Sequence, residues 1–171
     1  MAHISKKICL LGEFAVGKTS LVRRFVYNRF DDKYISTIGV KVSRKTVAVP
    51  RNEEIVDLTM MLWDLAGSEE FNHVRASYLR GAAGAILVCD ITRAATLDHL
   101  QSYAEDLRSV SPQCRLMVAV NKSDLQEEYA FGQNEIEAVS GQLLAPYYFT
   151  SAKIGNDIDS LFRHLGQLLL E

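Results

Sequence analysis

Short apolar runs, stopped by glycine or polar turns, alternate along the chain with segments whose apolar residues recur every three or four positions. Ile8 to Leu11 is one such run; it ends at Gly12 and reads as a buried strand. Beyond Gly17, the residues Leu21, Val22, Phe25 and Val26 recur at helical spacing. Val40, Val42 and then Thr46 to Val49 have the β-branched character of a strand. Pro50-Arg51-Asn52-Glu53 is turn material, and Ile55 to Trp63 resumes as a strand, which predicts an antiparallel hairpin. Ala85 to Ile91, Leu116 to Val120 and Tyr147 to Thr150 read as further strands. Between them, Leu97, Leu100, Ala104 and Leu107 predict one amphipathic helix, and Ile136, Val139, Leu143 and Leu144 another. Ile158, Leu161, Phe162, Leu165 and Leu169 form the stripe of a last helix, with Asn156 placed to cap it.

Strands alternating with helices imply an α/β fold, with a mainly parallel sheet covered on both faces. The hairpin makes that sheet mixed. The 171 residues fit one domain, residues 1–171, without repeats, low-complexity segments or a linker. Apolar residues at 48% and charged residues at 23% are ordinary for a soluble globular protein, and the net charge of −2 gives no reason to expect nucleic acid as a partner. Cys9, Cys89 and Cys114 sit in apolar, strand-like runs. An odd count without metal-type spacing predicts buried thiols of a cytosolic protein. His3, His73, His99 and His164 do not cluster. No apolar run approaches the length of a membrane span. The start, MAHISKK, has neither a signal-peptide core nor a glycine for myristoylation, and the end, LGQLLLE, has no cysteine to prenylate. The expectation is a cytoplasmic chain with no membrane anchor in the sequence as given.

The chemistry gathers at strand ends. Gly12-Glu13-Phe14-Ala15-Val16-Gly17-Lys18-Thr19 fits G-x-x-x-x-G-K-[ST], after a strand and opening a helix, the context that the motif requires. Its backbone N–H groups would wrap a β-phosphate, helped by the helix N-terminus and by Ser20 just beyond. Lys18 would contact the β- and γ-phosphates, and the Thr19 hydroxyl would bind Mg²⁺. This loop alone leaves ATP and GTP open. Asn121-Lys122-Ser123-Asp124 decides, because it follows another strand at its C-terminal end, where ligands bind in such sheets. The Asp124 carboxylate can accept hydrogen bonds from guanine N1–H and the 2-amino group, and adenine offers neither. The Lys122 stem can lie along the base. Thr150-Ser151-Ala152-Lys153 ends the last strand, where the Ala152 N–H could meet guanine O6. Asp124 thus disfavours a P-loop kinase or ATPase.

GEFAVGKT, YISTIGV, WDLAGSEEF, SYLRGA, NKSD and TSAK stand in one order, from Lys7 to the last helix. In that order and spacing the chain resembles the Ras-superfamily small GTPases, and within them the Rab branch. The resemblance implies a P-loop NTPase small G-domain, with a six-stranded mixed, mostly parallel sheet flanked by five helices. It implies a GTP/GDP switch that needs Mg²⁺ and meets effectors, an exchange factor and a GTPase-activating protein through two switch segments. Thr37 would be the first-switch threonine, its hydroxyl on Mg²⁺ and its N–H on the γ-phosphate. Asp64 would hold Mg²⁺ through water, and the Gly67 N–H would contact the γ-phosphate. Phe30 would flank the guanine edge, although a core position suits it equally. Tyr34 would lie over the phosphates, although an exposed switch tyrosine is an open alternative.

Three positions depart from the family pattern. Ser68 stands where a water-positioning glutamine is usual, so the candidate catalytic set is Lys18, Thr37, Gly67 and Ser68. Phe14 replaces a small residue in the phosphate loop, where a phenyl ring would crowd the γ-phosphate and the space for an arginine finger. Val42 replaces a phenylalanine of the Rab first-switch strand, while Trp63 and Tyr78 match their aromatic positions. The expectation is a GTPase with slow intrinsic hydrolysis. The alternative is a nucleotide-bound interaction module with negligible hydrolysis.

Overall fold

A computed structural model describes residues 2–31, 39–67 and 72–171. In chain order the elements are β1 (Ala2–Leu11), α1 (Lys18–Tyr27), β2 (Val40–Arg51), β3 (Glu54–Leu65), α2 (Asn72–Leu79), β4 (Gly84–Asp90), α3 (Ala94–Asp98), α4 (Leu100–Val110), β5 (Arg115–Asn121), α5 (Gln133–Leu143), β6 (Tyr147–Phe149) and α6 (Ile158–Leu169). The strands form one sheet in the order β2-β3-β1-β4-β5-β6. Among the described strands only β2 and β3 pair antiparallel. This is the six-stranded mixed sheet of the Ras-like G-domain.

Apolar patterning places the layers. β4 is buried at all seven positions, as a central parallel strand covered on both faces must be. Its alternate residues feed two cores. Ala85, Leu87 and Cys89 join Leu79, Leu100, Ala104, Leu107 and Ile136 on the face carrying α2 to α5. Ile86 and Val88 join Leu21, Phe25, Leu161, Phe162 and Leu165 on the face carrying α1 and α6. There the rings of Phe25 and Phe162 stack, with centroids 3.9 Å apart and planes 1° from parallel.

Several local expectations change. β1 begins at Ala2, well before Ile8, because its polar first half pairs with β3 from Ala2 opposite Val56. No hydrophobic run marks that half. Pro50 and Arg51 belong to β2, so the turn narrows to Asn52 and Glu53, with Asn52 at φ 56°. The single helix expected around Leu97 to Leu107 is divided at His99 into α3 and α4; counted as one interrupted helix, they bring the flanking helices to five. Leu144 ends α5 in the left-handed conformation and is 86% exposed, so it lies off the apolar face. Asn156 does not cap α6: Asp157 holds the N-cap position, and Asn156 forms a bridge with Ser151. Cys9 and Cys89 are buried strand thiols, pushed up to about 11 and about 12 by burial. Cys114 is only half-buried and precedes β5.

Register then sets the functional edge. Leu10 lies beside Asp64, and Asp90 beside Asn121. The C-terminal ends of β1, β3, β4, β5 and β6 therefore form one rim.

Candidate functional site

The loop from Gly12 to Gly17 carries the chain from β1 into α1 across this rim. Its shape depends on small residues and left-handed backbone. Ala15 has φ 63° and Gly17 has φ 104°. A Cβ on Gly17 would stand 2.2 Å from Asn121 Nδ2, and one on Gly12 would stand 2.3 Å from the Val88 carbonyl oxygen. Asn121 explains the first contact: its Nδ2 donates to the Val16 carbonyl at 2.9 Å, while its Oδ1 accepts from the Thr150 hydroxyl at 3.2 Å. Val16 itself is core, so it serves the loop through its carbonyl. No side-chain hydrogen bond caps α1 at Gly17 among the described residues, and a helix N-terminus of this kind suits an anion.

Lys18 is buried, and its Nζ donates to the carbonyls of Gly12 at 2.8 Å and Glu13 at 2.9 Å. Burial lowers its ammonium to about 8, partly offset by the charge of Asp64. An ammonium so desolvated is suited to an anionic partner. The Thr19 hydroxyl donates to Asp64 Oδ2, and Asp64 is 1% exposed. A hydroxyl and a buried carboxylate are the hard oxygen donors that suit Mg²⁺. Gly67 lies against the loop from the other side. A Cβ there would meet Glu13 C and Phe14 N at 2.6 Å and Gly12 O at 2.7 Å.

The opposite half of the site holds Lys122, Asp124 and the β6–α6 connection. Lys122 has φ 65°, and its Nζ reaches Asp90 Oδ2 at 2.8 Å. Burial alone would raise the Asp90 carboxyl, but hydrogen bonds from Lys122 and Thr92 hold it below its ordinary value. Asp124 Oδ1 accepts from the Ser151 hydroxyl at 2.8 Å. Ser151 is fully buried, and its hydroxyl also accepts from the Ile154 N–H at 3.2 Å. Arg24 of α1 donates from Nε to the Ala152 carbonyl at 2.8 Å and from Nη2 to the Lys153 carbonyl.

Phosphate loop and base loop line one cavity of about 320 Å³. Phe14, Ala15, Gly17, Lys18, Thr19, Ser20, Phe30, Gly67, Asn121, Lys122, Asp124, Ala152 and Lys153 all face it. Phe14 is half exposed at its wall. Glu13 is turned outward, its carboxylate paired with His99 Nδ1. Tyr34, Thr37 and Ser68 lie outside the described residues. Sequence reasoning missed Asp31, Ala66 and Leu125, which also line the cavity, and the anchoring residues Asp90 and Arg93. The signal for Asp90 was its place at the end of a wholly buried strand, the position where such sheets carry their ligands.

A Ras family profile matches residues 7–171. GTP-binding protein ypt5 of Schizosaccharomyces pombe is 36% identical over 168 residues, which cover 97% of this chain and 78% of that protein. The chain belongs to the Ras family. Within it, this Ras-family GTPase is also similar to Ras-related protein Rab-21 of Homo sapiens, at 34% identity over 98% of this chain and 73% of that protein. GTP-binding protein ypt4 of Schizosaccharomyces pombe is 34% identical over 91% of this chain and 68% of that protein. These relatives place it in the Rab branch, as a GTP-binding small GTPase. Trp63 and Tyr78 of this GTPase form an aromatic pair with centroids 6.2 Å apart, and Val42, the departure from the Rab pattern, stands opposite Trp63 in the β2–β3 ladder. Among its described residues no helix is long and apolar enough to cross a membrane.

Proposed function

We propose that the chain is a Mg²⁺-dependent GTP/GDP switch with slow intrinsic hydrolysis. The observation that carries this reading is the single cavity shared by the phosphate loop and by Asp124, whose carboxylate is held by Ser151. The loop N–H groups and Lys18 would bind the phosphates. Asp124 would select guanine, with the Lys122 stem, Phe30 and the Ala152 N–H around the base. Thr19, Asp64 and Thr37 would hold Mg²⁺, which when bound neutralises charge developing on the phosphates. Thr37 and the Gly67 N–H would sense the third phosphate, so that two segments, around Tyr34 to Gly39 and Gly67 to Tyr78, respond to its loss. Val42, Trp63 and Tyr78 would belong to the face offered to effectors, exchange factors and activators.

Slow turnover rests on Ser68 and Phe14. Serine is too short to position water as a glutamine does. Losing one such contact costs about 3 kcal/mol, roughly 100-fold in rate, which weakens hydrolysis without abolishing it. Phe14, half exposed on the cavity wall, favours a second reading, a nucleotide-bound interaction module that turns over negligibly.

Base choice is tested with Asp124→Asn. Asn keeps one acceptor oxygen but sets an NH2 donor against a guanine donor. One charge-assisted bond, worth about 1.5–3 kcal/mol, is lost, the other becomes uncharged, and GDP should weaken roughly 100-fold. GDP binding by Asp124→Asn as tight as by the wild type would remove the basis for the guanine site.

A further inference from the structure

We propose that Arg93 is a positioning residue that holds the phosphate loop in its anion-binding shape and ties it to the base-binding loop through Asp90. Arg93 lies at the start of α3, outside every motif that marks the nucleotide site. Its Nη2 donates to the Phe14 carbonyl at 2.7 Å, and its Nε donates to Asp90 Oδ2 at 3.1 Å. The planar guanidinium can make both bonds at once in a fixed geometry. Asp90 is 1% exposed, and its other donors set its orientation. Lys122 Nζ meets the same Oδ2 at 2.8 Å, while the Thr92 N–H and hydroxyl reach Oδ1 at 2.9 and 2.6 Å. One buried carboxylate thus joins a cation of the base loop to a cation that grips the phosphate loop.

The grip acts on a particular peptide. The peptide unit is planar and trans, so the Phe14 carbonyl and the Ala15 N–H point in opposite directions. Arg93 holds the carbonyl from outside the loop, which directs the Ala15 N–H inward, toward the cavity that Ala15 lines. Ala15 also has φ 63°, a conformation that an alanine adopts only when its surroundings impose it. Glu13, the residue before Phe14, is held to His99 in the turn between α3 and α4. The outer side of the loop is therefore fastened at two successive residues, while its inner side is kept for phosphate.

This inference rests on the guanine nucleotide reading above, and its test separates the two. The test measures dissociation constants for GDP and GMP by displacement of a fluorescent GDP, in the full chain and in Arg93→Ala and Arg93→Lys. The loop wraps the second phosphate, which GMP lacks. Loss of one charge-assisted hydrogen bond should weaken GDP about tenfold in Arg93→Ala. GMP should change less than twofold. Arg93→Lys keeps the charge beside Asp90 but lacks the planar fork, so it should also lose part of the GDP preference over GMP. Should Arg93→Ala not fold, Arg93→Lys carries the test by the same criterion. GDP and GMP weakened by equal factors, or a ratio unchanged from wild type, would overturn the positioning role. A wild type that binds GDP no better than ADP would instead overturn the guanine nucleotide reading.

Discussion

Asn121 and Gly17 offer a quantitative check on how the two halves of the site are joined. Asn121 is 2% exposed, and the Val16 and Thr150 residues that it bonds are fully buried. Asn121→Ala leaves a carbonyl and a hydroxyl without that partner. At about 1–3 kcal/mol for each buried group, the expected loss of stability is about 2–6 kcal/mol. Gly17→Ala strains a backbone at φ 104° and drives a methyl to 2.2 Å from the Asn121 amide. The strain costs about 1–3 kcal/mol and the overpacking a similar amount. In the double variant the amide is gone, so the overpacking disappears while the strain remains. The cycle should therefore show a favourable coupling of about 1–3 kcal/mol. Urea unfolding followed by Trp63, the single tryptophan, measures it at fixed GDP, with the binding contribution of each variant subtracted. If the two single losses add to within about 0.5 kcal/mol in the double variant, the contact between Gly17 and Asn121 does not shape the loop.

The same close packing makes Gly67 sensitive. Gly67→Ala places a methyl 2.6 Å from phosphate-loop backbone, and should weaken a non-hydrolysable GTP analogue relative to GDP by about 1–3 kcal/mol. An unchanged affinity ratio in competition binding would contradict the role given to Gly67. Removing Mg²⁺ with a chelator should speed GDP release from the wild type, and much less from Thr19→Ala; chelation that leaves wild-type release unaltered would sink the metal assignment of Thr19 and Asp64.

The core elements were readable because their burial is continuous or periodic. β4 is apolar at nearly every residue, and α6 repeats Ile158, Leu161, Phe162 and Leu165 on one face. The polar half of β1 was not readable, since it is a strand only by pairing with β3. The break at His99 was hidden because Leu97, Leu100, Ala104 and Leu107 keep one apolar stripe through it. At the site, each loop carried its own motif, so Lys18, Thr19, Asn121 and Asp124 could be named from spacing. The fastenings between loops could not. Asp90 with Lys122, Arg93 with Phe14, and Arg24 with Ala152 join residues 32, 79 and 128 positions apart, and no local pattern marks such pairs.

GTP hydrolysis by this chain is measured most directly as single-turnover release of phosphate from protein preloaded with GTP and Mg²⁺, with exchange excluded and bound nucleotide identified over time. Bound GTP should convert slowly to GDP, faster in Ser68→Gln, and faster again when Phe14→Gly is combined with it. Bound GTP that stays intact over many hours in the wild type and in both variants would contradict the enzyme and leave the interaction module.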